Sequence, residues 1–224
     1  MMKVKLVSWS TPSEEMVADG VENVQDLIAF CARVSNPSNQ NNKATSEKLI
    51  NYLVKHKHWS PLEMTSACLE IETTRDIARQ ILRHRSFSFQ EFSQRYADPT
   101  KDMEFVTREA RLQDPKNRQN SVIAHDELIH ALWEEYQQKV IESAQTAYNW
   151  AITRGIAKEQ ARAVLPEGLT MSRMYMNGTL RSWIHYIELR SANGTQQEHM
   201  DVAKACASVI ADIFPLSESF VEKN

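Results

Sequence analysis

Glycine is scarce in this 224-residue chain: Gly20, Gly155, Gly168, Gly178 and Gly194 are the only five. They stand too far apart for a Gly-x-Gly-x-x-Gly turn or a Walker loop, so a glycine-built phosphate cradle is excluded. Any phosphate must then be gripped by side chains, and arginine suits the task because its planar fork matches phosphate oxygens. Cysteine is scarcer still, with Cys31, Cys68 and Cys206 far apart and no Cys-x-x-Cys pair. An odd, dispersed set excludes a disulfide framework and a zinc finger and fits reduced thiols. Excess positive charge is also missing, since 26 Lys and Arg against 29 Asp and Glu leave a net charge of −3. That balance supplies no general field for nucleic acid or an acidic membrane. No apolar run approaches the roughly 20 residues of a membrane span, and MMKVKLVSWS carries too short a run for a signal peptide. A soluble, cytoplasmic protein is expected, with its partners small molecules rather than nucleic acid or membrane.

What is present reads as a globular chain, 42% hydrophobic and 25% charged. Lys3 to Trp9 alternates apolar and polar residues, as a strand does, while Val24 to Val34 and Ser46 to Lys55 have helical spacing. Leu62 to Thr73 puts Thr65, Ala67, Leu69 and Ile71 on one face and Ser66, Cys68, Glu70 and Glu72 on the other, which predicts a strand. Thr74 can cap a short helix over Arg75 to Leu82, with Asp76 in its first turn. Asp98 to Asn120 is polar, contains Pro99 and Pro115, and reads as an excursion or flap around a strand-like Glu104 to Thr107. Val122 to Arg154 predicts one long helix, with Leu128, Leu132, Tyr136, Val140, Ala144, Ala147 and Ala151 as its buried stripe and Gly155 just past its end. A short helix over Lys158 to Val164, a strand over Leu169 to Met176, and helices over Leu180 to Ser191 and Gln196 to Phe214 complete the chain. No repeat or linker interrupts it, so one helix-rich α+β domain spanning residues 1–224 is expected.

The chemistry concentrates in Arg83 to Tyr96, RHRSFSFQEFSQRY. If Phe87 to Arg95 is extended, Glu91, Ser93 and Arg95 share one face: an acceptor, a hydroxyl and a guanidinium suited to a substrate with a phosphate and a hydrogen-bonding ring. Gln80 and Arg83 are three apart on the preceding helix and can reach the same ligand. An arbitrary Arg-His-Arg triplet is more often a solvated salt-bridge cluster than a site. Two further readings stay open on the residues alone. Phe87, Phe89, Phe92 and Tyr96 between arginines could stack on nucleic-acid bases, and the long amphipathic helix could belong to an oligomer without chemistry. His56 and His58 lack a third metal ligand of suitable spacing, so no metal site is expected. His125 and His130 default to the surface, and His199 to solvent or a subunit contact.

The whole segment resembles the signature of the flavin-dependent thymidylate synthases, an Arg-His-Arg triplet followed after seven residues by serine, here Arg83, His84, Arg85 and Ser93. Other stretches resemble that family in order: Ala32 to Ser35; His58, Ser60, Pro61 and Glu63; Gln80; Ala161 to Pro166; and Leu180 to Arg190. The resemblance implies a helix-rich α+β domain with a small, mostly antiparallel sheet. It also implies transfer of a methylene group from methylenetetrahydrofolate to dUMP, with FAD reduced by NADPH, in a homotetramer whose active sites are shared between subunits. By similarity, dUMP should meet Gln80, Arg83, Glu91, Ser93, Arg95, Arg162 and Arg190. FAD should meet His58, Ser60, Arg83, His84, Arg85, Gln90, Glu91, Thr179, Arg181 and His185, where Gln90, Thr179 and His185 replace asparagines of relatives. Arg190 and Ser93 are the catalytic candidates, Arg190 for charge developing on the uracil and Ser93 as a binding hydroxyl rather than a nucleophile. At 100° per residue Arg181, His185 and Glu188 share a helix face that Arg190 opposes, so one helix can serve two pockets.

Overall fold

A computed structural model describes residues 2–222. Its centre is a four-stranded antiparallel sheet in the order β1-β2-β6-β3, with β1 at Lys3–Trp9, β2 at Ser66–Thr74, β3 at Ser88–Glu91 and β6 at Met171–Thr179. Ala67, Leu69 and Ile71 of β2 face the core as the alternation predicts, while Glu70 on the other face pairs with Lys5 at 2.9 Å. β2 starts later than predicted because Pro61 sits in the 3-10 turn Ser60–Glu63, where its fixed φ suits a first turn.

Helices α1 (Glu14–Ala18), α2 (Val24–Ala32) and α3 (Ser46–Lys55) follow β1, and α4 (Arg75–Ile81) follows β2. After β3 come α5 (Pro99–Asp102), the hairpin of β4 (Arg111–Gln113) and β5 (Ser121–Ile123), then α6 (Glu127–Thr153) and α7 (Lys158–Ala161). β6 runs directly into α8 (Leu180–Ser191), and α9 (Gln197–Ala211) follows. Ile28, Ile50, Ile77, Ile81, Trp183, Ile187, Val202 and Cys206 pack with Leu69, Ile71, Met174 and Met176 into the main core. A smaller cluster joins Tyr148 and Ala151 of α6 to Ala161 and Leu165.

Two predicted boundaries and one predicted buried stripe are corrected. The long helix begins at Glu127, where Asp126 accepts from Leu128 N at 2.9 Å, and Val122 belongs to the hairpin. Its buried stripe is Gln137, Ile141, Ala144, Tyr148 and Ala151, whereas Leu128, Leu132, Tyr136 and Val140 are 65%, 43%, 61% and 48% exposed. The extended stretch predicted over Phe87 to Arg95 ends at Glu91. Phe92 N still reaches Arg173 O at 2.8 Å, but Glu104 O and the Phe105–Thr170 bridge occupy the next places beside β6, so the chain turns at Ser93. Glu91, Ser93 and Arg95 therefore do not line one strand face.

One glycine sets the position of the Arg-His-Arg triplet. Gly178 in β6 lies under Phe87, whose ring packs edge-on against Trp183 with centroids 4.8 Å apart. A Cβ at Gly178 would collide with the Phe87 ring, which follows the triplet by two residues. Gly178→Ala is expected to lower unfolding free energy in urea by about 1–3 kcal/mol, the usual range for overpacking. An unchanged midpoint and slope would show that Phe87 can leave its seat without cost.

Candidate active site

The C-terminal end of α4 delivers Gln80, Arg83 and His84 to one place. His84 Nε2 accepts a hydrogen bond from Arg190 Nε at 2.9 Å, and the imidazole meets the Tyr186 ring edge-on with centroids 5.0 Å apart. Burial, and then the Arg190 and Arg83 charges, push the His84 pKa down to about 4. The imidazole is thus neutral at pH 7, and because Nε2 accepts, the proton is assigned to Nδ1. Arg83 and Arg85 are exposed, and among the described residues neither they nor Arg162 meets a carboxylate.

The start of α8 forms a second neighbourhood. Thr179 caps the helix, its Oγ1 accepting from Ser182 N at 3.3 Å, and Trp183 anchors it by donating from Nε1 to Ala67 O at 3.0 Å. Arg181 pairs with Glu63 in the 3-10 turn that holds Ser60. His185 lies edge-on to Trp59, centroids 4.6 Å apart, and burial followed by the Arg181 charge lowers its pKa. His58 is exposed beside Tyr52, centroids 6.2 Å apart. Arg190 does point away from this neighbourhood, as the helical wheel predicts.

A third neighbourhood surrounds Glu91. Ser172 Oγ donates to Glu91 Oε1 at 2.8 Å, and the buried Arg75 donates from Nη1 at 3.4 Å. Burial lowers the Arg75 pKa, and the nearby Arg79 and Arg162 charges add to the fall against Glu91 and Glu167. Arg95 is paired with Glu159 at 3.6 Å, and Ser93 Oγ accepts from Arg95 N at 3.4 Å. Gln90 is exposed on β3 opposite Tyr175.

Contacts thus divide the nucleotide candidates: Gln80, Arg83 and Arg190 gather at the C-terminal end of α4, Glu91 and Arg162 lie near its N-terminal Arg75, and Arg95 is held by Glu159. Sequence reasoning missed Arg75, Ser172 and Tyr186. It misplaced His199, which is 0% exposed, with Nδ1 3.3 Å from Gln80 Oε1 and Nε2 3.2 Å from Tyr186 OH. The signal was there, because His199 shares helical spacing with Ala203, Cys206 and Ile210, all buried. His130 is tied to the chain as well, Nε2 lying 2.6 Å from Ala124 O. The aromatic platform dissolves, since Phe87 and Phe89 pack on the core. Among the described residues no three His, Cys, Asp or Glu side chains could share a metal ion, and no helix is long and apolar enough to cross a membrane.

Guanidinium groups without carboxylate partners, beside a neutral imidazole and an aromatic wall, stand on an α+β scaffold as donors that an anionic, ring-bearing ligand could use. The family model for thymidylate synthase complementing protein, Thy1, matches residues 16–216. A protein of Synechocystis named flavin-dependent thymidylate synthase is 45% identical over 222 residues, covering 99% of this chain and 100% of its own. One from Paramecium bursaria Chlorella virus 1, named probable flavin-dependent thymidylate synthase, is 48% identical over 214 residues, 96% of each chain. The crystal structure of the UMP/dUMP methylase PolB from Streptomyces cacaoi, bound with 5-Br dUMP, superposes with a TM-score of 0.78 at 25% identity over 98% of this chain and 94% of that one. The chain belongs to the flavin-dependent thymidylate synthase family.

The lowered His84 pKa has a consequence for stability. A histidine that takes its proton at pH 6.5 when unfolded but only near 4 when folded favours the unfolded chain between those values. Its contribution is therefore whole above 6.5 and declines as pH falls towards 4. The stability difference between wild type and His84→Asn in urea is expected to shrink over that interval, and a pH-independent difference would contradict the neutral imidazole.

Proposed function

We propose that the protein converts dUMP to dTMP, with methylenetetrahydrofolate as carbon donor, FAD as bound cofactor and NADPH as reductant, as a cytoplasmic homotetramer of one-domain chains. The observation that carries this reading is the set of guanidinium groups left unneutralised at the family's nucleotide and flavin positions: Arg83, Arg85, Arg162 and Arg190. A diphosphate-bearing flavin fits such a donor set, with Thr179, Arg181 and His185 presented by the rigid start of α8. FAD when bound supplies the hydride chemistry, for which no side chain here is equipped.

The chain's own residues bind, orient and stabilise charge. Arg190 is held by a neutral acceptor, so its remaining N–H groups keep their charge for the uracil oxygens, where negative charge develops. Arg162, Arg95 and Ser93 seat the phosphate, and Gln80 and Arg83 the rest of the nucleotide. Glu91, fixed by Ser172 and Arg75, offers an acceptor of defined direction. Ser93 acts as a binding hydroxyl, since the contact its Oγ makes is with a backbone N–H rather than a base. Burial raises the pKa of Cys31, Cys68 and Cys206, which disfavours a thiolate nucleophile.

One observation supports shared sites: the row Leu128, Leu132, Tyr136 and Val140 on α6, an apolar face suited to a second copy of the chain. Purified protein is expected to be yellow and to form dTMP from dUMP with NADPH and the folate. Colourless protein that neither takes up FAD nor makes dTMP rejects the reading. Arg83→Ala is expected to weaken both dUMP and FAD by about 10- to 100-fold each, the loss of a charge-assisted hydrogen bond worth roughly 1.5–3 kcal/mol. Unchanged titrations would remove Arg83 from the junction of the two ligands. Tyr136→Glu is expected to dissociate the tetramer in sedimentation and to abolish turnover while the chain stays folded; a monomeric, active wild type overturns the shared site.

A further inference from the structure

A line of polar groups runs through the helical layer behind the triplet. The Glu198 carboxylate pairs with Arg111 and accepts from Gln196 Nε2 at 3.0 Å. Gln196 Oε1 accepts from Gln80 Nε2 at 2.8 Å. Gln80 Oε1 lies 3.3 Å from His199 Nδ1, and His199 Nε2 lies 3.2 Å from the Tyr186 hydroxyl. At its outer end Gln196 borders a groove of about 1010 Å³ between the β4–β5 hairpin and α9.

Amides and imidazoles can each be turned round, so the direction of such a chain is set by a member with one option. Glu198 is that member. Burial raises its pKa, but its own backbone N–H, Arg111 and Arg108 outweigh burial and hold it below the ordinary value, so it is an ionised, accept-only carboxylate. Gln196 must turn its amide nitrogen to Glu198 and its carbonyl to Gln80. Gln80 must then turn its nitrogen to Gln196 and its carbonyl to His199. His199 must carry its proton on Nδ1, which leaves Nε2 to accept from Tyr186. A neutral imidazole has the one donor and one acceptor this requires, and burial, with Arg190, His84 and Arg83, keeps the His199 pKa at about 3.

At Gln80 one N–H is engaged by Gln196 and the carbonyl is turned inward to His199, which leaves the second N–H on the other side of the amide. We infer that His199, Gln196 and Glu198 form a positioning unit that fixes which way the Gln80 amide is turned, its carbonyl towards His199, so that it presents an N–H donor to the nucleotide. This rests on the reading of Gln80 as a nucleotide residue. The ligand atom opposite that N–H is then an acceptor, a carbonyl or phosphate oxygen. Packing alone does not call for histidine here, because phenylalanine fills similar volume without burying polar nitrogens.

The test is dUMP affinity of the FAD-loaded enzyme by calorimetry. His199→Phe is expected to weaken dUMP about tenfold, the value of one ordinary hydrogen bond. His199→Asn, whose side-chain N–H falls near Nδ1, is expected to recover affinity to within about threefold of wild type. In a Gln80→Ala background His199→Phe should change affinity by less than about twofold, because its effect runs through Gln80. Glu198→Gln frees Gln196 to reverse and should weaken dUMP in the same Gln80-dependent way, which keeps the proposal testable if His199→Phe does not fold. Effects that multiply with Gln80→Ala, or wild-type affinity in the folded variants, overturn the positioning unit. Wild-type enzyme that takes FAD but no dUMP is a separate result that overturns the nucleotide assignment beneath it.

Discussion

Arg190 donates to an imidazole that carries no charge, and the rest of the site depends on that contact. A carboxylate in the place of His84 would hold the guanidinium as firmly but would cancel its charge. The neutral ring holds direction and leaves the charge available. The arrangement sustains itself: burial and the charges of Arg190 and Arg83 keep His84 unprotonated, and an unprotonated His84 is what can accept from Arg190. Arg75 shows the alternative within the same molecule. It is buried against Glu91, so much of its charge is used inside the protein, and its task is to hold a carboxylate still.

The fold supplies this contact through rigid elements. β6 continues into α8 with no intervening loop, and Trp183 fixes the joint by its bond to Ala67 O on the neighbouring strand. Thr179, Arg181, His185 and Arg190 are therefore placed by one helix whose first turn is capped and whose middle is pinned. On the other side, Phe87 sits over Gly178 and ties the segment after the triplet to the same strand. Arg83, His84 and Arg190 meet because both supports rest on β6.

Much of this was legible in the sequence because it is local. The alternation of β2, the periodicity of α8 and the polarity of the triplet depend on neighbours along the chain, and each formed nearly where predicted. What was not legible depends on distant partners. The end of β3 at Glu91 is decided by Glu104 and Phe105 taking the next places beside β6. The stripe of α6 was misread because apolar residues line more than one side of it, and only the packing of Tyr148 and Ala151 against Ala161 and Leu165 selects the buried side. The hairpin of β4 and β5 consists of three-residue strands, too short for periodicity to register. His199 differs: its spacing with Ala203, Cys206 and Ile210 marks the apolar face of α9, but a polar ring there reads as exposed until its partners Gln80 and Tyr186, both distant in sequence, are known.

A phosphate site without glycine has a thermodynamic cost that a glycine loop avoids. Backbone N–H groups are already ordered when the chain folds, whereas each long arginine side chain loses up to roughly 2 kcal/mol of rotamer freedom when it is fixed on a ligand. Arg83 and Arg85 are exposed in the single chain, so that cost would fall on every binding event. Packing a second chain against them would transfer part of the cost to assembly, which occurs once. The apolar face of α6 and the unpaired arginines would then have one physical explanation. In the proposed tetramer, burying Leu132, Tyr136 and Val140 against a neighbour would supply free energy, and ordering guanidinium groups around a shared ligand is what that free energy would sustain.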